Sequence, residues 1–306
     1  MASYIVRKLL TLIPVMLGVY TLVFIVMQVL PGDPARIRAG PGASAETVEN
    51  IRRQLGLDKP IPVQYFLYLQ KAVRLDFGRS FRTNQPVIDE LKSRYPTTVQ
   101  LTLAATVIFL SVGLPLGVIA AVKRNTIWDG LAILVSLLGI SMPAFWLGLL
   151  LIWYFSVKLG WFPTFGFSTP RHMILPAFTL ASYGIAYTAR YTRSSMLEEL
   201  MQEYVTTARA KGLRERVVLY RHALRNALIP VVTQAALGFG FMLGGAVVIE
   251  VVFTVNGVGR LIVDGILYRD YPVVQAAVLL LALNFVLVNL IADIAYGFID
   301  PRVRLG

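Results

Sequence analysis

Two histidines, no cysteines and a thin scatter of acids limit the chemistry open to this 306-residue chain. Without thiols it makes no disulfide and no thiolate metal site, and His172 and His222 alone are too few for a structural zinc site. His222 has no acid at a spacing that would make it a general base, so it reads as an exposed or capping histidine. The sequence holds no HExxH, no GxSxG and no credible Ser–His pairing, which argues against hydrolysis. It also lacks a Walker A motif, so it does not hold ATP through a phosphate-binding loop. The chain reads as non-enzymatic, with no catalytic residue, no metal and no cofactor of its own.

Chemistry of another kind remains. Glu250 and Asp293 lie within or at the end of apolar runs. Burying a charge in a membrane costs at least about 2.5–3.5 kcal/mol, which makes such acids candidates for a solute path. Both fall near the ends of their runs, where water or an arginine could reach them instead. The densest positive charge lies in residues 203–230, "EYVTTARAKGLRERVVLYRHALRNALIP", which holds six Lys and Arg residues. Small residues gather at its start, at Ala208, Ala210 and Gly212, and would leave a helix thin enough to enter a groove on another protein. Arg209 and Lys211 could then pair with carboxylates at the groove's edge.

These residues must be carried by membrane helices. Only 15% of the residues are charged and 56% are hydrophobic, the mean hydropathy is +0.65, and several apolar runs exceed 20 residues. A soluble core cannot bury that much apolar surface, whereas a bilayer can. The fold expected is an all-α polytopic membrane protein with six spans: Leu9–Leu30, Val99–Val122, Leu131–Val157, Met173–Arg190, Leu228–Phe253 and Val273–Ile299. The fourth is short and rich in Ser, Thr and Tyr. The first begins after Arg7 and Lys8 but is too long for a signal peptide and has no small-residue cleavage site, so it reads as a retained span. The net charge of +12 resembles that of a nucleic-acid binder, but the basic residues lie in the connections, as topology signals do.

With the N-terminus in the cytoplasm, the cytoplasmic segments hold Arg7, Lys8, Lys123, Arg124, eight basic residues from Arg190 to Arg225, Arg302 and Arg304. The short outer loops then hold only Lys158, Arg171, Arg260 and Arg269. Both termini are therefore expected inside, because the long 31–98 connection exceeds the length over which the charge rule acts. That outer segment reads as folded. Ser44 is placed to cap a helix, Arg52 and Arg53 fall late in it, and Gly56 stops it; a second helix begins near Pro62 and ends before "LDFG". Either the pair lies on the outer leaflet or it docks a partner.

The connection after the fourth span runs for about 37 residues, far beyond the roughly 2–8 usual between helices. It reads as two short helices joined at Gly212. Gly113 and Gly117 form one GxxxG and Gly240 and Gly244 another, each permitting close helix approach. The second pair is the better candidate for contact between subunits or for cavity lining. Asn284 and Asn289 are expected to hydrogen-bond across helices.

The stretch "EYVTTARAKGL…HALRNALIPVV" resembles the cytoplasmic EAA loop of permease subunits of ATP-binding-cassette importers. It is especially similar to the dipeptide, oligopeptide, glutathione and nickel permease family, dipeptide permease B-like subunits included. The likeness extends along the chain through "PGDPARI", "LGLDKPIPVQY", "DFGRSFRT", "GISMPAFWLG", "GVGRLIVDGILYRDYPVVQA" and "DPRVR". It implies a type I importer permease fold with an extracytoplasmic helical insertion after the first helix. Residues 1–98 would form that first part, and residues 99–306 a five-helix core with a coupling loop at about 191–227.

The resemblance also implies that Tyr204, Thr206, Thr207, Ala208, Arg209, Ala210, Lys211 and Gly212 couple to a cytoplasmic ATPase. Thr206, Thr207 and Ala208 stand where the general motif has Glu-Ala-Ala, so the glutamate is absent, and Pro230 lies beyond the motif's usual Leu-Pro. Gly240, Gly244 and Glu250 are the candidates for the translocation pathway or for helix packing. The implied partners are a second homologous permease, two ATPases that bind ATP and magnesium, and an extracytoplasmic binding protein, in a bacterial cytoplasmic membrane. The cargo would be a peptide or glutathione-like solute, with a nickel chelate or other small solute as the alternative. From a different class, a self-sufficient secondary transporter would leave the long cytoplasmic connection without a use, and no convincing half-to-half repeat is present.

Overall fold

A computed structural model describes residues 2–29, 32–40 and 42–299, with side chains from Leu10 to Ala292 apart from Thr233. Asp293, Arg7 and Lys8 therefore lie outside the described side chains, and Arg302 and Arg304 outside the described residues altogether. Thirteen α-helices run in order: α1 Ala2–Val29, α2 Pro34–Ala39, α3 Ala45–Leu55, α4 Ile61–Val73, α5 Val87–Val122, α6 Ile127–Ser141, α7 Ala144–Leu151, α8 Pro170–Leu200, α9 Glu203–Ala210, α10 Glu215–Val217, α11 Leu224–Val252, α12 Val258–Leu267 and α13 Tyr271–Ile299. Two π-helical segments, Ile152–Lys158 and Val218–Ala223, follow α7 and α10.

Among the described residues, four helical stretches are long and apolar enough to cross a membrane: Leu10–Val29, Val87–Val122, Glu215–Val252 and Tyr271–Ala292. The expected third span is not one straight helix. α6 and α7 meet at a 106° bend, since Pro143 denies the backbone a donor and fixes its own φ; counted as one crossing, the pair makes a fifth. The expected fourth span lies within α8, which at 31 residues is long enough to cross but too polar to qualify. Apolarity alone therefore supports four or five crossings and not the six expected.

The chain divides into two compact units. One comprises residues 99–255 together with α13 from Leu287 onward, and α8 is its hub. Helices approach α8 closely because glycines face it. A Cβ on Gly117 of α5 would lie 2.5 Å from the Ala189 carbonyl oxygen and from Thr192 Cβ, and one on Gly113 would lie 2.9 Å from Thr188 Cβ. A Cβ on Gly139 of α6 would lie 3.0 Å from Ala186 Cβ. On α8 itself, Gly184 takes in Met242 of α11 and Phe109 of α5, at 2.6 and 2.9 Å from where its Cβ would be. Around these contacts Leu101, Leu180, Ile185, Ile249 and Phe253 close a dry core.

The other unit comprises residues 2–98 and 256–286. Val87 and Leu91 of α5 pack there on Val258 and Leu261 of α12 and on Val273 of α13. Its loops are tied by Asp270, which is 3% exposed. The Asp270 carboxylate accepts from the Ser80 hydroxyl, from the Phe81 amide at 3.1 Å and from the Arg82 amide at 3.3 Å. This fastens "GRSFRT" to "YRDYP", some 190 residues apart. The Arg82 guanidinium also lies 3.9 Å from the Tyr268 ring centroid.

Helix ends follow local chemistry. The Ser44 hydroxyl accepts from the Thr47 amide at 3.2 Å, and Gly56 closes α3 in the left-handed region, as the sequence leads one to expect. α2 begins at Pro34 with Asp33 as its cap, and an Arg52–Asp33 ion pair of 2.7 Å joins α2 to α3. Asn284 Oδ1 accepts from the Tyr95 hydroxyl at 2.6 Å, the expected bond across helices, whereas buried Asn289 Oδ1 has no such partner among the described residues.

Candidate functional site

The residues singled out in the basic stretch converge on α9. Its apolar pattern is brief, but Val205 and Ala208 fall three apart on one side. Both are buried, in a cluster with Val118 and Ala121 of α5, Met196 of α8, Val218 and Ala223 of the second π segment, and Ala227 of α11. The opposite side, carrying Thr206, Thr207, Arg209, Ala210 and Lys211, is exposed. Ala208 thus anchors the helix to its own chain and does not add to a thin outer face; the exposed small groups are Thr206, Thr207 and Ala210.

Polar contacts hold the helix in place. The Tyr204 hydroxyl donates to the Glu199 carboxylate and accepts from Asn226 Nδ2 at 3.0 Å, bracing α9 against the end of α8 and the start of α11. Burial and the Glu199 contact raise the Tyr204 pKa, so the phenol stays protonated and able to donate. The Thr207 hydroxyl donates back to the Glu203 carbonyl at 2.9 Å, so it is turned toward its own helix. Gly212 adopts φ 73°, and its amide donates to the Arg209 carbonyl at 2.9 Å. The glycine stop falls where the sequence places it, because a Cβ would be strained there.

Arg209 departs from expectation. Its carboxylate partner is Glu215 of the same loop, with Nη2 to Oε1 at 2.8 Å and Nε to Oε2 at 3.3 Å. Six residues and a glycine turn separate the two, a local pairing that an i, i+4 reading of the helix overlooks. The second of the two expected short helices is also different: α10 passes through the π segment directly into α11. Lys211 and the cations Arg221 and Arg225 stay exposed.

Behind the loop lies a buried ion pair that sequence reasoning missed. Asp129 is 4% exposed; it accepts from Arg193 Nε at 2.7 Å and Nη2 at 2.8 Å, and from the Asn125 amide at 3.0 Å. It fixes the start of α6 to α8 about two turns before α8 ends. The only sequence signal was an acid at the mouth of an apolar run opposite an arginine 64 residues on, and nothing in the spacing pairs them.

The candidate pathway residues separate. Gly240 is buried, whereas Gly244 is exposed, and a Cβ there would meet nothing within 4 Å. The tight GxxxG contact within the chain is instead that of Gly113 and Gly117. Glu250 is fully buried at 0% exposure beside Ile249 and Phe253, which sets aside water, but not an arginine, as the group expected to reach it near its helix end.

Comparisons with known proteins agree with one another. The profile described as "binding-protein-dependent transport system inner membrane component" matches residues 113–305, and the corresponding N-terminal profile matches residues 1–102. The chain is 48% identical over 304 residues to the glutathione transport system permease protein GsiC of Escherichia coli, covering 99% of both chains. The GsiC of Shigella flexneri matches with the same identity and coverage. Among solved structures, the inward-facing MetNI methionine ABC transporter matches with a TM-score of 0.61 at 18% identity, over 71% of this chain and 99% of that one. An amino acid ABC transporter solved with histidines matches with a TM-score of 0.53 at 16% identity, over 70% and 94%. At such identities these two establish the fold, that of type I importer permeases. A glycine-packed hub helix, a loop helix braced beside its end and whole-length similarity to known permeases lead to one conclusion: the chain belongs to the binding-protein-dependent transport system inner membrane components, as a non-catalytic permease subunit of ABC importers in the dipeptide, oligopeptide, glutathione and nickel group.

Proposed function

We propose that this chain forms half of the translocation pathway of an ATP-driven importer for glutathione-like or other short peptides, and that α9 is the element a cytoplasmic ATPase grips. The observation that carries the coupling role is the two-sided construction of α9. Val205 and Ala208 are sunk into the chain while Thr206, Thr207, Ala210 and Lys211 stand outside. A helix held this way transmits a push to α5, α8 and α11 together. The peptide cargo is supported by the whole-length similarity to permeases named for glutathione transport.

In this reading the chain crosses the membrane six times, with α8 as the sixth crossing beside the four apolar helices and the bent pair. Both termini are cytoplasmic, and α2–α4 form the extracytoplasmic insertion of a 1–98 segment ahead of the 99–306 core. A second permease completes the path, two ATPases supply ATP and magnesium chemistry, and a binding protein delivers the solute.

Co-purification tests the coupling role. Deleting residues 206–212 should release the ATPases from the complex while membrane insertion and pairing with the second permease persist. ATPases retained at unchanged yield would remove α9 from this role. Mass spectrometry of the ligand held by the natively purified binding protein checks the cargo: a short peptide supports the reading, and a metal chelate refutes it.

A further inference from the structure

α8 is the one long helix of its unit too polar to qualify as a spanning segment, and its polarity is not evenly spread. The faces it turns to α5, α6, α7 and α11 carry Ala, Thr and Ser beside a few apolar side chains. From Tyr183 onward one strip of the helix carries exposed Tyr183, Arg190 and Ser194, with half-buried Tyr187 and Tyr191 between them, the three tyrosines four residues apart. The three phenol rings form a ladder. Tyr183 and Tyr187 stack with centroids 6.1 Å apart at 17°, and Tyr187 and Tyr191 at 5.9 Å and 19°. The Arg190 guanidinium lies 5.8 Å from the Tyr187 centroid, and Phe241 of α11 lies 6.4 Å from Tyr183. Among the described residues, no side chain or carbonyl takes up a hydrogen bond from the three hydroxyls.

α6 of the same unit shows what a face suited to lipid looks like. Its exposed residues from Leu131 to Leu138 are all aliphatic, Leu131, Ile133, Leu134, Val135, Leu137 and Leu138, each about half exposed. A row of phenols ending in a guanidinium is the opposite choice. In a spanning helix, such groups are turned toward water or a bundle interior, because hydrocarbon cannot solvate them.

We propose that the Tyr183–Tyr187–Tyr191 ladder lines the aqueous path of the importer and is a binding track for a peptide-class solute with a free carboxylate, which Arg190 receives. This rests on the importer reading given above. Stacking fixes the rungs about 6 Å apart. Two residues of extended peptide advance by about 6.6–6.8 Å, so successive hydroxyls meet alternate backbone amides whatever the peptide's side chains. Several weak, equivalent sites also let a solute enter without being trapped, as conduction requires. Beside the ladder, exposed Phe241, Gly244 and Val248 of α11 offer an apolar strip for the peptide's side chains.

Because the chain has no cysteine, a single introduced thiol reports its own surroundings. Tyr183→Cys, Tyr187→Cys and Tyr191→Cys, with Leu137→Cys as the lipid-face control, would be assembled with the partner permease and ATPases in nanodiscs. Each would be treated with a charged methanethiosulfonate reagent, reading the modification on this chain alone after separation. The ladder positions should react at least about tenfold faster than Leu137→Cys, because the thiolate is the nucleophile and an apolar surrounding keeps the thiol protonated. Dialanine or S-methylglutathione should slow that reaction. Arg190→Gln should weaken protection by dialanine but not by its amidated form. Ladder rates as slow as Leu137→Cys, meaning a face sealed by lipid or another helix, would overturn the proposal, and so would fast modification that neither peptide slows. Labelling is independent of pumping, so a complex without ATP-driven peptide uptake would count against the importer reading while these rates still decided whether the track exists.

Discussion

Two buried carboxylates carry the heaviest local consequences. Asp129 and Arg193 form a two-pronged pair with almost no access to solvent on the acid side. Removing one partner leaves the other uncompensated, so Asp129→Asn or Arg193→Gln should cost about 3–5 kcal/mol. Replacing both with apolar residues of similar volume should recover much of that loss, and unfolding in detergent measures both. Asp270 is a different case, because its partners are a hydroxyl and two backbone amides and not a cation. Asp270→Asn keeps an acceptor but loses the charge that strengthens each bond, an expected cost of about 2–3 kcal/mol. Proteolysis between residues 76 and 86 should quicken in step, since the loop would lose its fastening. Both acids stood in plain view in the sequence, but their partners lie 64 and about 190 residues away, and no spacing rule reaches so far. Glu250 was legible as an anomaly, yet its complete burial depends on packing that only the folded chain provides.

At the scale of elements, the two GxxxG motifs look alike on paper and behave differently in space. Gly113 and Gly117 are spent inside the chain, where any larger residue on α5 would push α8 away. Gly117→Val should therefore lower the folded yield and the Tm of the isolated chain, by about 1–3 kcal/mol or more of overpacking. Gly244 has open space around it, so Gly244→Leu should leave the isolated chain's Tm unchanged and act only on assembly or transport. A Tm lowered equally by both would mean that the second motif also packs within the chain. α9 was legible as a short helix with a glycine stop because propensity and the left-handed preference are local. Which of its faces is anchored was not, since Ala208 reads as thinness in sequence and acts as an anchor in the structure. The break between α6 and α7 is announced by "SMPAF", yet an uninterrupted hydropathy run conceals it.

For the whole molecule, the prediction is dependence. A permease without a phosphate-binding loop of its own should accumulate no solute against a gradient when reconstituted alone in liposomes. Uphill uptake should begin only when partner permease, ATPases, ATP and binding protein are all present, with radiolabelled dipeptide as the readout. Accumulation by the chain alone would show that it is driven some other way. In the proposed arrangement, the net charge of +12 serves topology and partner contact and not nucleic-acid binding.

Composition and hydropathy by themselves determined that this is a helical membrane protein, and the basic 203–230 segment pointed to the loop proposed here for coupling. Those properties are sums over neighbouring residues, and summing does not depend on how the chain folds. Tertiary structure alone decided that a helix too polar for lipid becomes the hub of its unit. It also decided which glycines are consumed in packing, which acids find partners, and that three tyrosines one helical turn apart share an open face. Apart from the tyrosines, whose spacing of four already places them on one side of a helix and whose exposure alone was left to packing, these outcomes turn on distances of a few ångströms between residues far apart in the chain, and no local pattern encodes them.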